Sequence, residues 1–279
     1  MAMRCLTCLT LGAALSLTPA VQAAVASKPV PLRCTILLDA ASGKTLLREG
    51  RCGERVTPAS TFKIAISLMG YDSGVLTSEH APTLPFKDGY VAWRPSWRLP
   101  TDPARWMQES VVWYSQQVVA RVKQPGFQAY VDRFGYGNRD LSDARHRAEL
   151  KGSGLSLAWI SSSLAISPDE QAAFLRKLVR HELGLKSAAY DMTARILRQP
   201  DLPNGWAVWG KTGSGAPVLP NDQGDYAHAY GWFVGWASKG PRTVVFVRLD
   251  QDEKDTDGPS GYRARDALLS ELPAQLDAL

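Results

Sequence analysis

The sequence predicts an α+β fold, an antiparallel sheet flanked by helices with an inserted all-helical lobe. Strand-like runs rich in β-branched and aromatic residues lie near both ends of the chain, while the middle carries apolar residues at helical spacing. Strands from both ends can form one sheet if the helical middle is set apart as a second lobe, and a cleft between two lobes is a natural ligand site. No repeat, low-complexity tract or linker divides the 279 residues, and 45% hydrophobic residues suffice for a sizeable core, which excludes disordered and fibrous classes.

The first residues set the compartment. Arg4 gives a positive start, residues 9–17 form a short apolar run and Val21-Gln22-Ala23 ends it, so residues 1–23 read as a secretory signal and 24–279 as the mature domain. The run is far below the roughly 20 apolar residues that cross a bilayer, and no later stretch approaches that length, so no membrane anchor is expected. Cleavage would remove Cys5 and Cys8 and leave Cys34 and Cys52, a pair that an oxidising periplasm joins as a disulfide. The mature chain has no His-x-His or Cys-x-x-Cys pattern, so no metal is expected. The net charge of +5 is spread without a basic run, and nucleic acid is not indicated.

The elements follow in order. Residues 35–39 and 45–47 form a hairpin around Ala41-Ser42-Gly43, whose outer ends can bring Cys34 to Cys52. A helix over about 61–68 follows Pro58, and further helices span 104–122, 127–134 and 168–183, the last opened by Pro168. Strand character returns at 206–210, 230–237 and 243–250, and a final helix covers about 262–272. The sheet lobe is thus expected over about 24–70 and 196–279, with the helical lobe over about 71–195.

Two segments carry chemistry. Pro58-Ala59-Ser60-Thr61-Phe62-Lys63 puts a hydroxyl at a helix start and an amine three residues later on the same face. The helix N-terminus favours the charge that develops as Ser60 loses its proton. A Ser-x-x-Lys match arises by chance about once in such a chain; what distinguishes this one is its helix, apolar nearly all round through Ile64, Ala65, Ile66, Leu68 and Met69. A Lys buried there has a depressed pKa or a specific partner, and either suits a base. The second segment, Trp209-Gly210-Lys211-Thr212-Gly213-Ser214, offers a cation and hydroxyls on a strand edge whose small residues let a substrate approach closely.

Between them stand Ser110-Val111-Val112, Phe134-Gly135-Tyr136-Gly137-Asn138 and Trp159, and after them Trp232-Phe233-Val234-Gly235. In this order, over nearly the whole mature chain, these motifs resemble the penicillin-recognising serine enzymes, and within them the class D (oxacillinase-type) serine β-lactamases. A class A enzyme would carry Ser-Asp-Asn and a later Glu, whereas position 112 is Val.

The resemblance implies the β-lactamase/transpeptidase-like form of the fold and hydrolysis of β-lactams through an acyl-enzyme on Ser60. It implies that Lys63, in an apolar pocket with Phe62, Val112, Trp159, Ile160 and Leu164, takes up carbon dioxide, supplied as bicarbonate, to become a carbamate held by the Trp159 indole. It implies backbone N–H groups of Ser60 and Ser214 as the oxyanion hole, Ser110 as proton relay supported by Lys211 and Thr212, and Val112, Thr212, Gly213, Ser214 and Arg263 on the substrate, with Arg265 the nearby alternative for its carboxylate. A cell-wall DD-peptidase or transpeptidase and a β-lactam sensor that binds without turnover are the other readings of the same motifs. Loops around Trp93, Trp97 and after Ser214 would shape the substrate pocket.

Overall fold

The computed structural model describes residues 31–123, 126–143, 145–146 and 156–278; the expected signal at 1–23 lies outside them. Six strands form one antiparallel sheet in the order β2-β1-β6-β5-β4-β3: β1 Arg33–Asp39, β2 Thr45–Gly50, β3 Arg198–Gln199, β4 Ala207–Gly215, β5 Tyr230–Lys239 and β6 Arg242–Gln251. The N-terminal hairpin joins the C-terminal strands through β1 and β6, with Ile36 opposite Val247. Cys34 and Cys52 form the expected disulfide, with Cα atoms 5.1 Å apart.

Helix α7, Ser260–Asp277, covers one face of the sheet, where Leu268, Leu272 and Leu276 meet Val208, Phe233, Val244 and Phe246. It runs past the expected stop at 272 despite Pro273, because Leu276 remains buried and the Asn204 amide donates to the Pro273 carbonyl. The other face, with Trp232, Val234, Val245 and Val247, shares the larger core with α1 Lys63–Asp72, α2 Pro103–Glu109, α3 Val112–Val122, α4 Gly126–Phe134 and α5 Pro168–Val179. Alternation of side chains along β5 sends Phe233 and Trp232 to opposite cores.

Several boundaries depart from the sequence reading for local reasons. The single helix expected over 104–122 is two, α2 and α3, broken where Ser110 adopts φ 61°, ψ 35°. The helix expected from Thr61 opens instead as a 3-10 turn, Ala59–Phe62, that runs into α1. The helix expected over 168–183 starts in a Ser167–Glu170 capping box and ends at Val179, with His181 soon after at φ 58°. It lies against the hairpin, where Arg176 Nε donates to the Ala40 carbonyl at 3.0 Å. Helix α6, Ser187–Leu197, was not anticipated; its polar residues Ser187, Asp191 and Arg195 dilute an apolar set that is buried only through Ala189, Tyr190, Ile196 and Leu197. The strand expected to end at 210 continues as β4 to Gly215, because β5 pairs with it along its whole length.

Candidate active site

The 3-10 turn that carries Ser60 is held from several directions. The Ala59 N–H donates to the Trp159 carbonyl at 3.0 Å, Thr61 Oγ1 donates to the Pro58 carbonyl at 2.7 Å, and Gln171 Nε2 donates to Thr61 Oγ1 at 2.9 Å. On the strand side, the Trp232 indole donates to the Thr57 carbonyl at 3.1 Å. Ala59 itself sits at φ 49°, a left-handed conformation that a non-glycine residue keeps only where its surroundings impose it.

Lys63 lies at the turn's junction with α1, and its Nζ is 3.0 Å from Ser60 Oγ. The side chain is fully buried. Burial first, and the nearby Lys211 charge second, hold its amine well below the ordinary lysine range. Phe62 packs its ring 5.6 Å from Trp159 and 5.0 Å from Tyr136, so the turn rests on an aromatic cluster. Trp159 is completely enclosed, and its Nε1 has no acceptor among the described residues. A buried indole N–H without a partner is uncommon and costs free energy, so among the described residues this donor stands free beside the turn.

Strand β4 closes against the turn. A Cβ on Gly213 would stand 2.9 Å from the Pro58 carbonyl oxygen and 3.1 Å from Thr61 Cγ2, so only glycine permits this approach. Beside it, Ser214 is exposed and its Oγ accepts the Gly261 N–H at 2.9 Å. Strand β3 pairs β4 only at Val208 and Trp209, and among the described residues no strand covers the outer edge of 210–215. Lys211 is 5% exposed, with Nζ 3.1 Å from the Thr212 carbonyl and 3.5 Å from Thr212 Oγ1. Burial, then the charges of Arg94 and Arg265, push its amine down to about 7.

The left-handed Ser110 sits between two helices and is partly exposed, followed by the buried Val111 and Val112. Arg263 does not reach the Lys211 side. Its guanidinium pairs with Asp252 and donates to the carbonyls of Asp257 and Gly258, both at 2.6 Å. Arg265 instead lines a cavity of about 430 Å³ together with Lys211, Thr212 and Tyr262. The reason is helical: at 3.6 residues per turn, positions two apart on α7 point in nearly opposite directions. Sequence reasoning also missed Arg94, which donates to Tyr262 Oη at 3.3 Å and bears on Lys211; no motif surrounds it in the sequence.

Residues 33–272 match the family model of the penicillin binding protein transpeptidase domain. The chain is 44% identical over 246 residues to beta-lactamase OXA-9 of Klebsiella pneumoniae, covering 87% of each, and 35% identical to beta-lactamase OXA-1 of Escherichia coli, covering 77% of this chain and 74% of that one. The solved structure of the OXA-427 class D beta-lactamase superposes with a TM-score of 0.80 at 46% identity, over 88% of this chain and 99% of that one. The chain belongs to the class D serine β-lactamases. In this chain Ser60, Lys63, Trp159 and Lys211 stand on the 3-10 turn, the start of α1, a loop and β4. Among its described residues no group of three or more His, Cys, Asp or Glu could hold a metal, and no helix is long and apolar enough to cross a membrane.

Proposed function

We propose that this class D β-lactamase hydrolyses β-lactams through a covalent acyl-enzyme on Ser60, with the side chain of residue 63 as base. One observation carries the reading: a fully buried lysine amine, its pKa held well below the ordinary lysine range by that burial, stands 3.0 Å from the Ser60 hydroxyl. Ser60 gives its proton to residue 63, and its Oγ attacks the lactam carbonyl. The backbone N–H groups of Ser60 and Ser214 receive the oxyanion. The C–N bond then breaks, and the ring nitrogen takes its proton through Ser110, whose left-handed backbone sets the hydroxyl between two helices. Water attacks the acyl-enzyme in turn and releases the opened acid.

A carbamate, formed when carbon dioxide adds to the neutral Lys63 amine, would supply an anionic oxygen base there, held by the unpartnered Trp159 indole N–H. Val112 is buried at the start of α3 and serves as part of the apolar wall. Lys211, Thr212 and Gly213 align the substrate along the open edge of β4. Its carboxylate is assigned to Arg265, which shares the cavity with Lys211, in place of Arg263, which is committed to Asp252. We further propose that residues 1–23 are a signal peptide, that 24–279 form one catalytic domain with a helical insert, and that the enzyme works in the periplasm.

The test is turnover of nitrocefin and of a penicillin by the purified mature chain, with and without bicarbonate. Turnover that bicarbonate stimulates is expected. Acylation without turnover would make the protein a sensor, and release of D-alanine from a cell-wall peptide with no lactam turnover would make it a peptidase. Ser60→Ala is expected to lose all covalent labelling by penicillin, read by intact mass.

A further inference from the structure

We propose that Asp143 is a positioning residue for the reaction: it clamps the segment that carries Trp159 and thereby sets how firmly carbon dioxide is retained on Lys63. The proposal rests on the reading of Lys63 given above. Among the described residues Asp143 is the only buried carboxylate, at 8% exposure. Its Oδ2 accepts the Leu157 N–H at 2.7 Å and the Ser156 hydroxyl at 3.3 Å, and its Oδ1 accepts the Ser162 hydroxyl at 2.9 Å. These donors lie on both sides of Trp159 in the chain, so a single side chain fixes the ends of the loop between them. Its backbone adds a further tie, with the Asp143 N–H donating to Ser163 Oγ at 2.9 Å. Asp143 adopts φ 49°, a conformation that costs free energy in a residue with a Cβ and that here aims the carboxylate into the segment.

Asn138 continues the clamp. Its amide donates to the Ser163 carbonyl at 2.8 Å and its Oδ1 accepts the Ala165 N–H at 3.0 Å. The segment is thus templated by residues 138–143 on one side and joined to the nucleophile's turn on the other, through the Ala59 N–H and the Trp159 carbonyl. An indole donor retains a bound group only if its N–H is held in line, because hydrogen bonds weaken steeply with angle. Hydrogen bonds to a buried carboxylate are among the stronger ones available for that purpose. Removing it leaves the Leu157 N–H and two hydroxyls to find other partners, and the loop is free to relax.

The test equilibrates wild-type protein and Asp143→Ala with ¹³C-labelled bicarbonate and reads the lysine carbamate signal by NMR, alongside penicillin kinetics and melting curves. The expected result is a carbamate affinity lowered about tenfold or more, a KM for penicillin within a few-fold of wild type, and kcat recovered at high bicarbonate. Asp143→Asn, which keeps one acceptor oxygen, should fall between the two. An unchanged carbamate affinity, whatever happens to the melting temperature, would overturn the proposal. If Asp143→Ala does not fold, Ser162→Ala removes one of the three bonds and should lower the affinity in the same direction, and no change there overturns the clamp. A wild-type protein without any carbamate signal would overturn the reading of Lys63 and this proposal with it, whereas a normal wild-type signal with an unaltered variant rejects the clamp alone.

Discussion

At the scale of single residues, the site is built from groups placed where water would ordinarily be needed to stabilise them. Lys63 and Lys211 are both buried amines: burial, then the Lys211 charge, lowers the pKa of Lys63, and burial, then the Arg94 and Arg265 charges, lowers that of Lys211. This has a consequence for stability. The Lys211 amine titrates near 7 in the fold and near the ordinary lysine value of 10.5 when unfolded, so between those values the unfolded chain binds more protons. Stability should therefore rise with pH from about 7 towards 10, and level off below about 7, where Lys211 is charged in both the folded and the unfolded chain. Lys211→Met should be more stable than wild type at pH 7 by roughly 1–4 kcal/mol while losing most substrate use, and the gap should narrow by pH 10. Urea midpoints at several pH values measure it; a gap independent of pH would contradict the assignment. Trp159→Ala should still acylate slowly but deacylate poorly, with trapped acyl-enzyme visible by mass spectrometry and turnover partly restored by bicarbonate. A role in core packing alone would instead lower the melting temperature with no acyl-enzyme accumulating.

At the scale of elements, breaks matter as much as helices and strands. The α2–α3 break holds Ser110 in a left-handed backbone that its surroundings impose, and a helix running straight through 104–122 would direct its hydroxyl elsewhere. Ser110→Gly should keep or raise the melting temperature, since glycine relieves the positive φ, yet lower acylation by about 100-fold, within the usual range for a proton relay. Equal loss of stability and activity would mean that the hydroxyl acts only in folding. Gly213 shows the opposite dependence. Its missing side chain lets β4 touch the Ser60 turn, so Gly213→Ala should cost about 1–3 kcal/mol and disturb the distance between the turn and the strand. Thermal melts with penicillin acylation rates read both effects.

At the scale of the whole molecule, the disulfide joins the two ends of the first hairpin across 18 residues of sequence. Closing a loop of that size contributes about 3 kcal/mol through the unfolded chain, so Cys34→Ser with Cys52→Ser should lower stability by that order and leave the chemistry of Ser60 intact. Intact mass of the oxidised mature protein should show no free thiol. The sheet itself explains why residues far apart in sequence meet. β1 pairs with β6, and β5 carries β4 alongside the turn that follows the N-terminal hairpin, so Ser60 and Lys211 come together across about 150 residues.

The α+β class, the exchange of strands between the chain ends, the disulfide and the meeting of Ser60 with Lys63 were legible in the sequence. Each depends on local chemistry or on periodicity: a hydroxyl and an amine one helical turn apart, alternating β-branched residues, two remaining cysteines flanking a hairpin. What only the tertiary structure decided was direction and closure. Which of Arg263 and Arg265 faces Lys211 depends on how α7 is rotated against the sheet, and the leucines that set that rotation find their partners on strands elsewhere in the chain. The break at Ser110 and the short apolar face of α6 are likewise imposed by packing, which overrides the intrinsic preference of an unbroken helical pattern. Asp143 stands in a loop whose sequence carries no periodicity, and its hydrogen bonds reach residues 13 to 20 positions away, formed only when the two loops are folded together.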